Sequence, residues 1–98
     1  MDRKTKKRIR EQIINGSIYR LKRYKSWRKR IFRRDRYKCQ FPDCGKVGGS
    51  LQVHHIKMKY KYPELIYRMD NGITLCYACH QKVHAEKIEG RWLGNLEL

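Results

Sequence analysis

The sequence has few acidic residues, only two prolines and no long apolar run. Nine Asp and Glu residues stand against twenty-five Lys and Arg residues, which gives a formal charge of +16 at pH 7. A domain with this excess of positive charge is expected to bind a polyanion, with DNA or RNA as the first candidate and an anionic membrane surface as the second. No segment approaches the roughly 20 apolar residues of a membrane span, so the chain is not expected to enter a membrane.

The N-terminal region lacks the apolar segment of a secretory signal, so we predict a cytoplasmic protein. In that compartment the four cysteines are expected to bind a metal rather than to form disulfides. A chain of 98 residues has the length of one domain. Such a small domain buries a modest core, so it is expected to need an additional crosslink, which a metal site would supply.

Composition and apolar spacing divide the chain into a basic arm, residues 1–25, and a folded domain, residues 26–98. In the arm, Ile9 and Ile13 are four residues apart, which predicts a short helix from Thr5 to Ile14. Two interpretations of the arm stay open. It is either frayed and solvated in the free protein, or a phosphate-binding segment that is helical or becomes ordered on DNA.

A second helix is predicted from Trp27 to about Asp35, with Trp27 and Ile31 on its buried side. The rest of its surface carries basic residues at a density that like-charge repulsion would disfavour without a polyanionic partner. Five of them are predicted to contact the DNA backbone: Arg28, Lys29, Arg30, Arg33 and Arg34.

The remaining chain predicts two short strands and a helix. Alternating residue types indicate a strand from Leu51 to His55, a second strand covers Ile73 to Leu75, and a helix runs from Tyr77 to about Lys87. The loop 56–70 between the strands is rich in lysine and tyrosine, and its tyrosines are expected to pack over the core rather than to stack on nucleic acid. Three apolar residues are expected to dock the tail on the core: Trp92, Leu93 and Leu96.

The four cysteines form two pairs, Cys39-x4-Cys44 and Cys76-x2-Cys79. Four thiolates suit tetrahedral Zn²⁺, and a closed set of four ligands is typical of a structural site. Zinc would then supply folding free energy that the small core lacks. Two free or disulfide-bonded pairs are the alternative. A site built from the second pair and the neighbouring histidines is disfavoured, because it leaves the first pair without a role.

The four histidines lie at two places in the chain. His54 and His55 are adjacent in the first predicted strand, so their side chains point to opposite sides. His80 and His84 are four residues apart and share one face of the last predicted helix, which suits two ligands of a divalent cation. One strand histidine would complete an open catalytic site, and the other could act as a base. An isolated helical pair is more often incidental, but that interpretation does not account for the whole set.

Three segments together resemble the HNH endonuclease family: LQVHHI at 51–56, DNGITLC at 70–76, and Cys79-His80 followed by His84. The resemblance covers about residues 26–88 and is greatest to small four-cysteine members from bacteria and phages. It implies an α+β fold of the ββα-metal type, in which two antiparallel strands and a helix surround one catalytic divalent cation. A structural zinc site made by the four cysteines would crosslink this core, and a basic helical extension would precede the core in the chain.

The resemblance also implies roles for individual residues. His54 corresponds to the metal ligand of the first strand, where many relatives have Asp, and His55 corresponds to the general base. His80 and His84 match the helix positions that bind the catalytic cation. Asn71 matches a residue that orients the base through the loop or binds the metal. Whether Asn71 or His80 is a direct ligand stays open.

The activity implied is that of a metal-dependent endonuclease that nicks double-stranded DNA and leaves a 5′-phosphate and a 3′-hydroxyl. An imidazole-rich site favours Mn²⁺, Ni²⁺, Co²⁺ or Zn²⁺ over a strict requirement for Mg²⁺. The expected location is the cytoplasm of a bacterium or of a phage-infected host cell. The protein is expected to act alone, as a dimer, or as part of a larger bacterial or phage complex. The alternatives are a zinc-stapled nucleic-acid-binding module without catalysis and a nuclease that acts on RNA.

Overall fold

The computed structural model describes residues 1–85. Within them the helices and strands are, in chain order, α1 (Arg3–Asn15), α2 (Lys22–Arg34), β1 (Leu51–His55), β2 (Gly72–Cys76) and α3 (Tyr77–Ala85). Short 3-10 turns lie at Ser17–Arg20, Pro63–Leu65 and Met69–Asn71. The predicted end of the last helix at Lys87 and the predicted docking of Trp92, Leu93 and Leu96 lie outside the described residues. Over residues 1–85, no helix combines the length and the apolar character needed to cross a membrane.

Helix α1 begins where the Asp2 carboxylate accepts a hydrogen bond of 2.7 Å from the backbone N–H of Thr5. It ends at Gly16, whose φ of 79° is the left-handed conformation common after a helix. On its inner side Ile9 is buried. The helix predicted in the basic arm is therefore present and packed on the body of the protein, while a domain boundary at residue 25 stays a prediction.

Helix α2 begins at Lys22, five residues before the predicted start at Trp27. The reason is that Tyr24 is also buried and shares one side of the helix with Trp27 and Ile31, so helical structure extends back to include it. After the helix, the Asp35 carboxylate accepts a hydrogen bond from a backbone N–H of β2 at 2.9 Å. This contact ties the C-terminal end of α2 to the sheet.

Strands β1 and β2 pair antiparallel, in a register that places His55 opposite Gly72. Consecutive strand residues face opposite sides of a sheet. Accordingly, the His54 ring contacts the histidine rings of α3, and the His55 ring contacts Trp27 of α2. The sheet therefore lies between α2 and α3, which confirms the predicted α+β fold.

The buried apolar residues form two clusters. One joins the sheet, α3 and the first cysteine segment, and consists of Cys39, Ile56, Ile73, Leu75, Cys76 and Val83. The other holds α1 against α2 and the loop 56–70, and consists of Ile9, Ile18, Tyr24 and Ile66. Because the second cluster contains loop residue Ile66, α1 is fixed next to the segment that borders the histidines.

Candidate active site

The four cysteines come together between the segment before β1 and the start of α3. Their sulfur atoms all lie within 4.8 Å of one another, and the Sγ atoms of Cys44 and Cys76 are 3.9 Å apart. A disulfide would bring two sulfurs to about 2.05 Å. Sulfurs placed about 2.3 Å from a tetrahedral zinc ion are separated by about 3.8 Å. The cysteines are free thiols, and their spacing fits one Zn²⁺.

The surroundings of the cysteine cluster favour a thiolate at Cys76. The backbone N–H of Cys79 donates a hydrogen bond to the Cys76 sulfur and lowers the pKa of that thiol to about 7. Burial raises the pKa of Cys39 and of Cys79. One stabilised thiolate beside buried thiols suits a divalent cation, because metal binding displaces the remaining protons.

A second cluster consists of His54 from β1 and of His80 and His84 from α3. One ring nitrogen from each lies within 4.8 Å of the others. The Nε2 atoms of His80 and His84 are 3.0 Å apart, close to the separation of two neighbouring ligands that each lie about 2.1 Å from one cation. His54 Nε2 is buried without a hydrogen-bond partner among the described residues. Since an unpaired buried polar atom is costly, a bound cation would satisfy it.

The surroundings of His54 and His80 favour the neutral imidazole. Burial, together with the neighbouring His80 and His84, lowers the pKa of His54 from 6.5 to about 4. Burial also lowers the pKa of His80. Neutral imidazole is the form that binds metals, so the electrostatics agree with the geometry.

The orientation of His55 is set by the loop between the strands. Its Nε2 atom lies 3.0 Å from the backbone carbonyl oxygen of Ile66. Because a carbonyl oxygen only accepts, Nε2 carries the proton and Nδ1 of the neutral ring carries the lone pair. Burial lowers the pKa of His55 to about 4, although the hydrogen bond to Ile66 acts in the opposite direction. His55 is therefore a neutral ring with a defined proton-accepting nitrogen.

All four histidines line one cavity of about 260 Å³. Other side chains of the lining come from α1 and the loop 56–70 and include Ile13, Met58, Lys59 and Tyr60. Sequence reasoning missed Lys59, which places an ammonium group beside the histidines. The alternation in the run KMKYKY at 57–62 gave no usable signal, because this segment is a turn in which the N–H of Tyr62 donates to the carbonyl of Met58 at 2.8 Å.

Asn71 is buried and hydrogen bonds to the backbone of the loop 56–70. Its Oδ1 accepts from the N–H of Lys57 at 2.7 Å, and its Nδ2 donates to the carbonyls of Leu65 at 3.0 Å and Lys57 at 3.3 Å. These bonds join the two ends of the loop that carries Ile66. Of the two residues left open as ligands, His80 lies in the imidazole cluster, whereas the Asn71 amide holds the loop.

The five α2 residues predicted to contact DNA are exposed, but they differ in their contacts. Arg34 pairs with the Asp35 carboxylate at 2.9 Å and donates to the carbonyls of Met69 and Gly72, each at 2.6 Å. Arg34 thereby links α2 to β2. Three side chains have no hydrogen-bond or ion-pair partner within residues 1–85: Lys29, Arg30 and Arg33.

Comparison with known proteins gives a consistent result. A sequence model of the HNH endonuclease family matches residues 39–86. No curated protein matched the chain. Among solved structures, the crystal structure of the HNH endonuclease of the deep-sea thermophilic bacteriophage GVE2 with manganese ion is similar, with a TM-score of 0.67 and 28% sequence identity. The similarity covers 89% of this chain and 95% of that chain.

The matched region contains both cysteine pairs, both strands and all four histidines. The structural similarity extends beyond it to most of the chain. With the clustered cysteines and histidines, these findings identify residues 39–86 as an HNH endonuclease region, in a chain that has the fold of a phage HNH endonuclease.

Proposed function

We propose that the chain is a metal-dependent DNA endonuclease that hydrolyses a phosphodiester bond with one divalent cation and with His55 as general base. The observation that carries this proposal is the arrangement of the histidines. Three bring their ring nitrogens within 4.8 Å, and the fourth, His55, lines the same cavity as a neutral ring. The net charge of +16 and the match of residues 39–86 to the HNH endonuclease family support DNA as the substrate.

The residues that would hold the catalytic cation are His54, His80 and His84. Three protein ligands leave coordination positions for substrate and water. When bound, the cation supplies Lewis-acid stabilisation of the charge that develops on the phosphate and the leaving oxygen. Imidazole donors favour Mn²⁺, Ni²⁺, Co²⁺ or Zn²⁺ over Mg²⁺, and the similar phage endonuclease was crystallised with manganese.

His55 would take the proton of the attacking water on Nδ1. As the water oxygen bonds to phosphorus, the bond from phosphorus to the 3′ oxygen breaks. The 3′ oxygen takes a proton from solvent, so the products are a 5′-phosphate and a 3′-hydroxyl. The Ile66 carbonyl supports this step because it accepts a hydrogen bond from Nε2 both before and after His55 gains its proton.

Lys59 would contribute charge to the same step. It is partly buried and lines the cavity together with the histidines. Its ammonium group would neutralise a non-bridging oxygen of the scissile phosphate, where negative charge accumulates during the attack.

The cysteine cluster would hold a structural Zn²⁺ that fixes the start of α3. Because His80 and His84 lie on α3, such a crosslink would also position two ligands of the catalytic cation. The zinc site requires reduced thiols, and we propose a cytoplasmic location for that reason.

The direct test is the nicking of supercoiled plasmid by the wild type and by His55→Gln, with Mn²⁺, Ni²⁺, Co²⁺, Zn²⁺ or Mg²⁺ and with a chelator. Glutamine retains an N–H that can donate to the Ile66 carbonyl but cannot serve as a base near neutral pH. We expect metal-dependent nicking by the wild type and a loss of about 10²- to 10⁴-fold in the variant. Ligation of the nick without kinase treatment would identify the 5′-phosphate and 3′-hydroxyl.

Three outcomes would contradict the proposal. DNA binding without cleavage under every cation would favour the non-catalytic binding module. Equal rates for the wild type and a folded His55→Gln variant would exclude His55 as the base. Faster cleavage of RNA than of DNA would make RNA the substrate.

A further inference from the structure

Helix α1 presents a row of basic side chains next to the active-site cavity. Arg3, Lys7 and Arg10 are spaced four and three residues apart, so they lie on one face of the helix, and Ile14 continues that face. The side chains of Arg3 and Lys7 are exposed on this face, and that of Arg10 is half-buried. We refer to Arg3, Lys7 and Arg10 as the α1 stripe. The opposite, apolar side of the helix carries Ile9 into the core.

A groove of about 530 Å³ is lined by the α1 stripe, Ile14 and Tyr60. Tyr60 also lines the histidine cavity, as does Ile13, the chain neighbour of Ile14. The groove and the cavity therefore adjoin, with Tyr60 as a shared wall.

Arg10 connects the stripe to Tyr60. Its Nε donates a hydrogen bond of 2.9 Å to the Tyr60 carbonyl oxygen, and its guanidinium lies 5.6 Å from the centre of the Tyr60 ring. Tyr60 is 48% exposed, contrary to the expectation that the loop tyrosines all pack over the core. An exposed aromatic ring beside cations is suited to stacking on a nucleic-acid base.

The charge of the groove is strongly positive. The stripe and Lys6 supply four cations, against one carboxylate from Glu11. Lys6 is 3.9 Å from the Glu64 carboxylate, whereas Arg3 and Lys7 have no ion-pair partner within residues 1–85. From Arg3 to Arg10 the helix rises about 10 Å. A DNA strand carries one phosphate per roughly 3.4 Å of duplex axis, so the stripe matches about three phosphates.

We propose that the α1 stripe and Tyr60 bind the backbone of the DNA strand that continues from the scissile phosphate in the histidine cavity. This inference rests on the proposed function, because the cavity defines where the scissile phosphate lies. The stripe should contribute to the affinity for DNA and leave the chemical step unchanged.

The basic face of α2 is less well placed for this strand. Lys29 and Arg33 lie on the side of the helix opposite to Trp27, and Trp27 packs toward the sheet against His55. The sheet separates that face from His54 and α3. A strand bound along α2 would have to pass around the protein to reach the cavity.

The test removes the three charges of the α1 stripe in one protein, Arg3→Gln/Lys7→Gln/Arg10→Gln. Glutamine retains good helix propensity. The matched control, Lys22→Gln/Lys25→Gln/Lys38→Gln, removes the same charge from exposed residues outside both linings. Binding of a fluorescein-labelled duplex is measured by anisotropy over a salt series without divalent cation. Plasmid nicking with Mn²⁺ gives kcat and KM, and circular dichroism verifies the fold.

We expect the stripe variant to bind DNA on the order of 100-fold more weakly near physiological salt, and its log–log salt slope to decrease by about 3. KM should rise while kcat stays that of the wild type. The control should change much less in each measurement. Equal losses in the two variants, or a loss confined to kcat, would overturn the proposal. So would a larger loss of affinity in Lys29→Gln/Arg30→Gln/Arg33→Gln, which would assign the strand to α2.

The two proposals can fail separately because binding is measured without a cation. If the wild type does not nick DNA under any cation but its affinity depends on the stripe, the proposed nuclease function fails and the binding surface stands. If the wild type nicks DNA and its affinity is independent of the stripe, the binding surface fails and the nuclease function stands.

Discussion

The imidazole of His55 lies stacked on the indole of Trp27, with ring centroids 4.3 Å apart and planes 19° from parallel. Trp27 is fully buried, and its Nε1 donates a hydrogen bond of 3.0 Å to the carbonyl of Arg68. The Ile66 carbonyl holds the edge of the same imidazole. His55 is thus fixed in two directions, by a ring face from α2 and by a loop carbonyl.

We expect Trp27→Leu to slow cleavage more than it weakens DNA binding. Leucine offers no ring face, and a displacement of a general base by about 1 Å can cost on the order of 100-fold in rate. The kcat of Trp27→Leu should therefore fall by about 10- to 100-fold, with KM little changed. The control, Trp27→Phe, keeps a ring and loses the bond to Arg68, so it should retain most of the rate. Equal kcat values for the two folded variants would show that stacking does not position His55.

Gly72 is required by the packing of Trp27. A Cβ added at this position would lie 2.6 Å from Cζ2 of Trp27 and 2.9 Å from Cδ1 of Ile31. The φ of −132° is open to any residue, so the requirement is steric. We expect Gly72→Ala to lower the free energy of unfolding by about 1–3 kcal/mol.

A double-mutant cycle tests the origin of that cost. Phenylalanine at position 27 lacks the indole atom that the new methyl group would meet. Gly72→Ala should therefore cost less in the Trp27→Phe background than in the wild type, by about 0.5 kcal/mol or more in denaturant unfolding. If the free-energy costs of Gly72→Ala and Trp27→Phe simply added, the new methyl group would not clash with the Trp27 indole.

Substitution of Asn71 distinguishes a loop contact from a metal ligand. Asn71→Ala removes three hydrogen bonds to the backbone of Lys57 and Leu65 and leaves buried groups unpaired. We expect a loss of about 1–3 kcal/mol in the free energy of unfolding and a lower kcat. The Kd for Mn²⁺, measured by calorimetry, should be unchanged, because the imidazole cluster is intact. A folded variant with much weaker Mn²⁺ binding would instead make Asn71 a ligand.

The two metal sites should respond separately to substitution. Cys79→Ser should release the structural zinc and lower the free energy of unfolding by several kcal/mol, since metal binding and folding are coupled. His84→Ala should keep that zinc and the fold while losing metal-dependent cleavage. The zinc content of the purified proteins is measured by atomic emission, and their stability by denaturant unfolding. A folded, zinc-free Cys79→Ser protein with full activity would contradict a structural role for this site.

Features that depend on short spacing could be predicted from the sequence. The i, i+4 spacing of His80 and His84 predicted a shared helix face, and the structure places their Nε2 atoms 3.0 Å apart. Strand alternation predicted that His54 and His55 would face different sides, and they contact α3 and α2 respectively. The convergence of the two cysteine pairs followed from the preference of zinc for four ligands.

Features that depend on long-range packing could not be predicted in this way. The stacking of His55 on Trp27 joins residues twenty-eight positions apart, and no periodicity encodes that contact. Lys59 and Tyr60 reach the cavity through the path of an irregular loop, which is fixed by the Asn71 hydrogen bonds. The early start of α2 depended on the burial of Tyr24, which is decided by contacts with α1.

Burial of two histidines makes the stability of the fold depend on pH. The pKa of His54 and of His55 is lowered from 6.5 to about 4 in the folded protein. Below pH 6.5 these two histidines bind protons in the unfolded chain, whereas in the folded protein they stay neutral down to about pH 4. The contribution of the two neutral histidines to stability is therefore fully present above about pH 6.5. It is lost as the pH falls from 6.5 toward 4, at a rate that reaches about 1.4 kcal/mol per pH unit for each histidine.

Replacing His55 by glutamine should remove one of these two contributions. In denaturant unfolding between about pH 7 and pH 5, the slope of the free energy of unfolding against pH should be smaller by about 1 kcal/mol per pH unit on average in His55→Gln than in the wild type, because the unfolded histidine is only partly protonated at the upper end of this range. Protonation of the zinc thiolates affects both proteins equally, so it cancels in the difference. Identical slopes would mean that His55 gains its proton in the folded state near pH 6, and cleavage would then have to fall over the same range, because a charged imidazole cannot accept a proton from water.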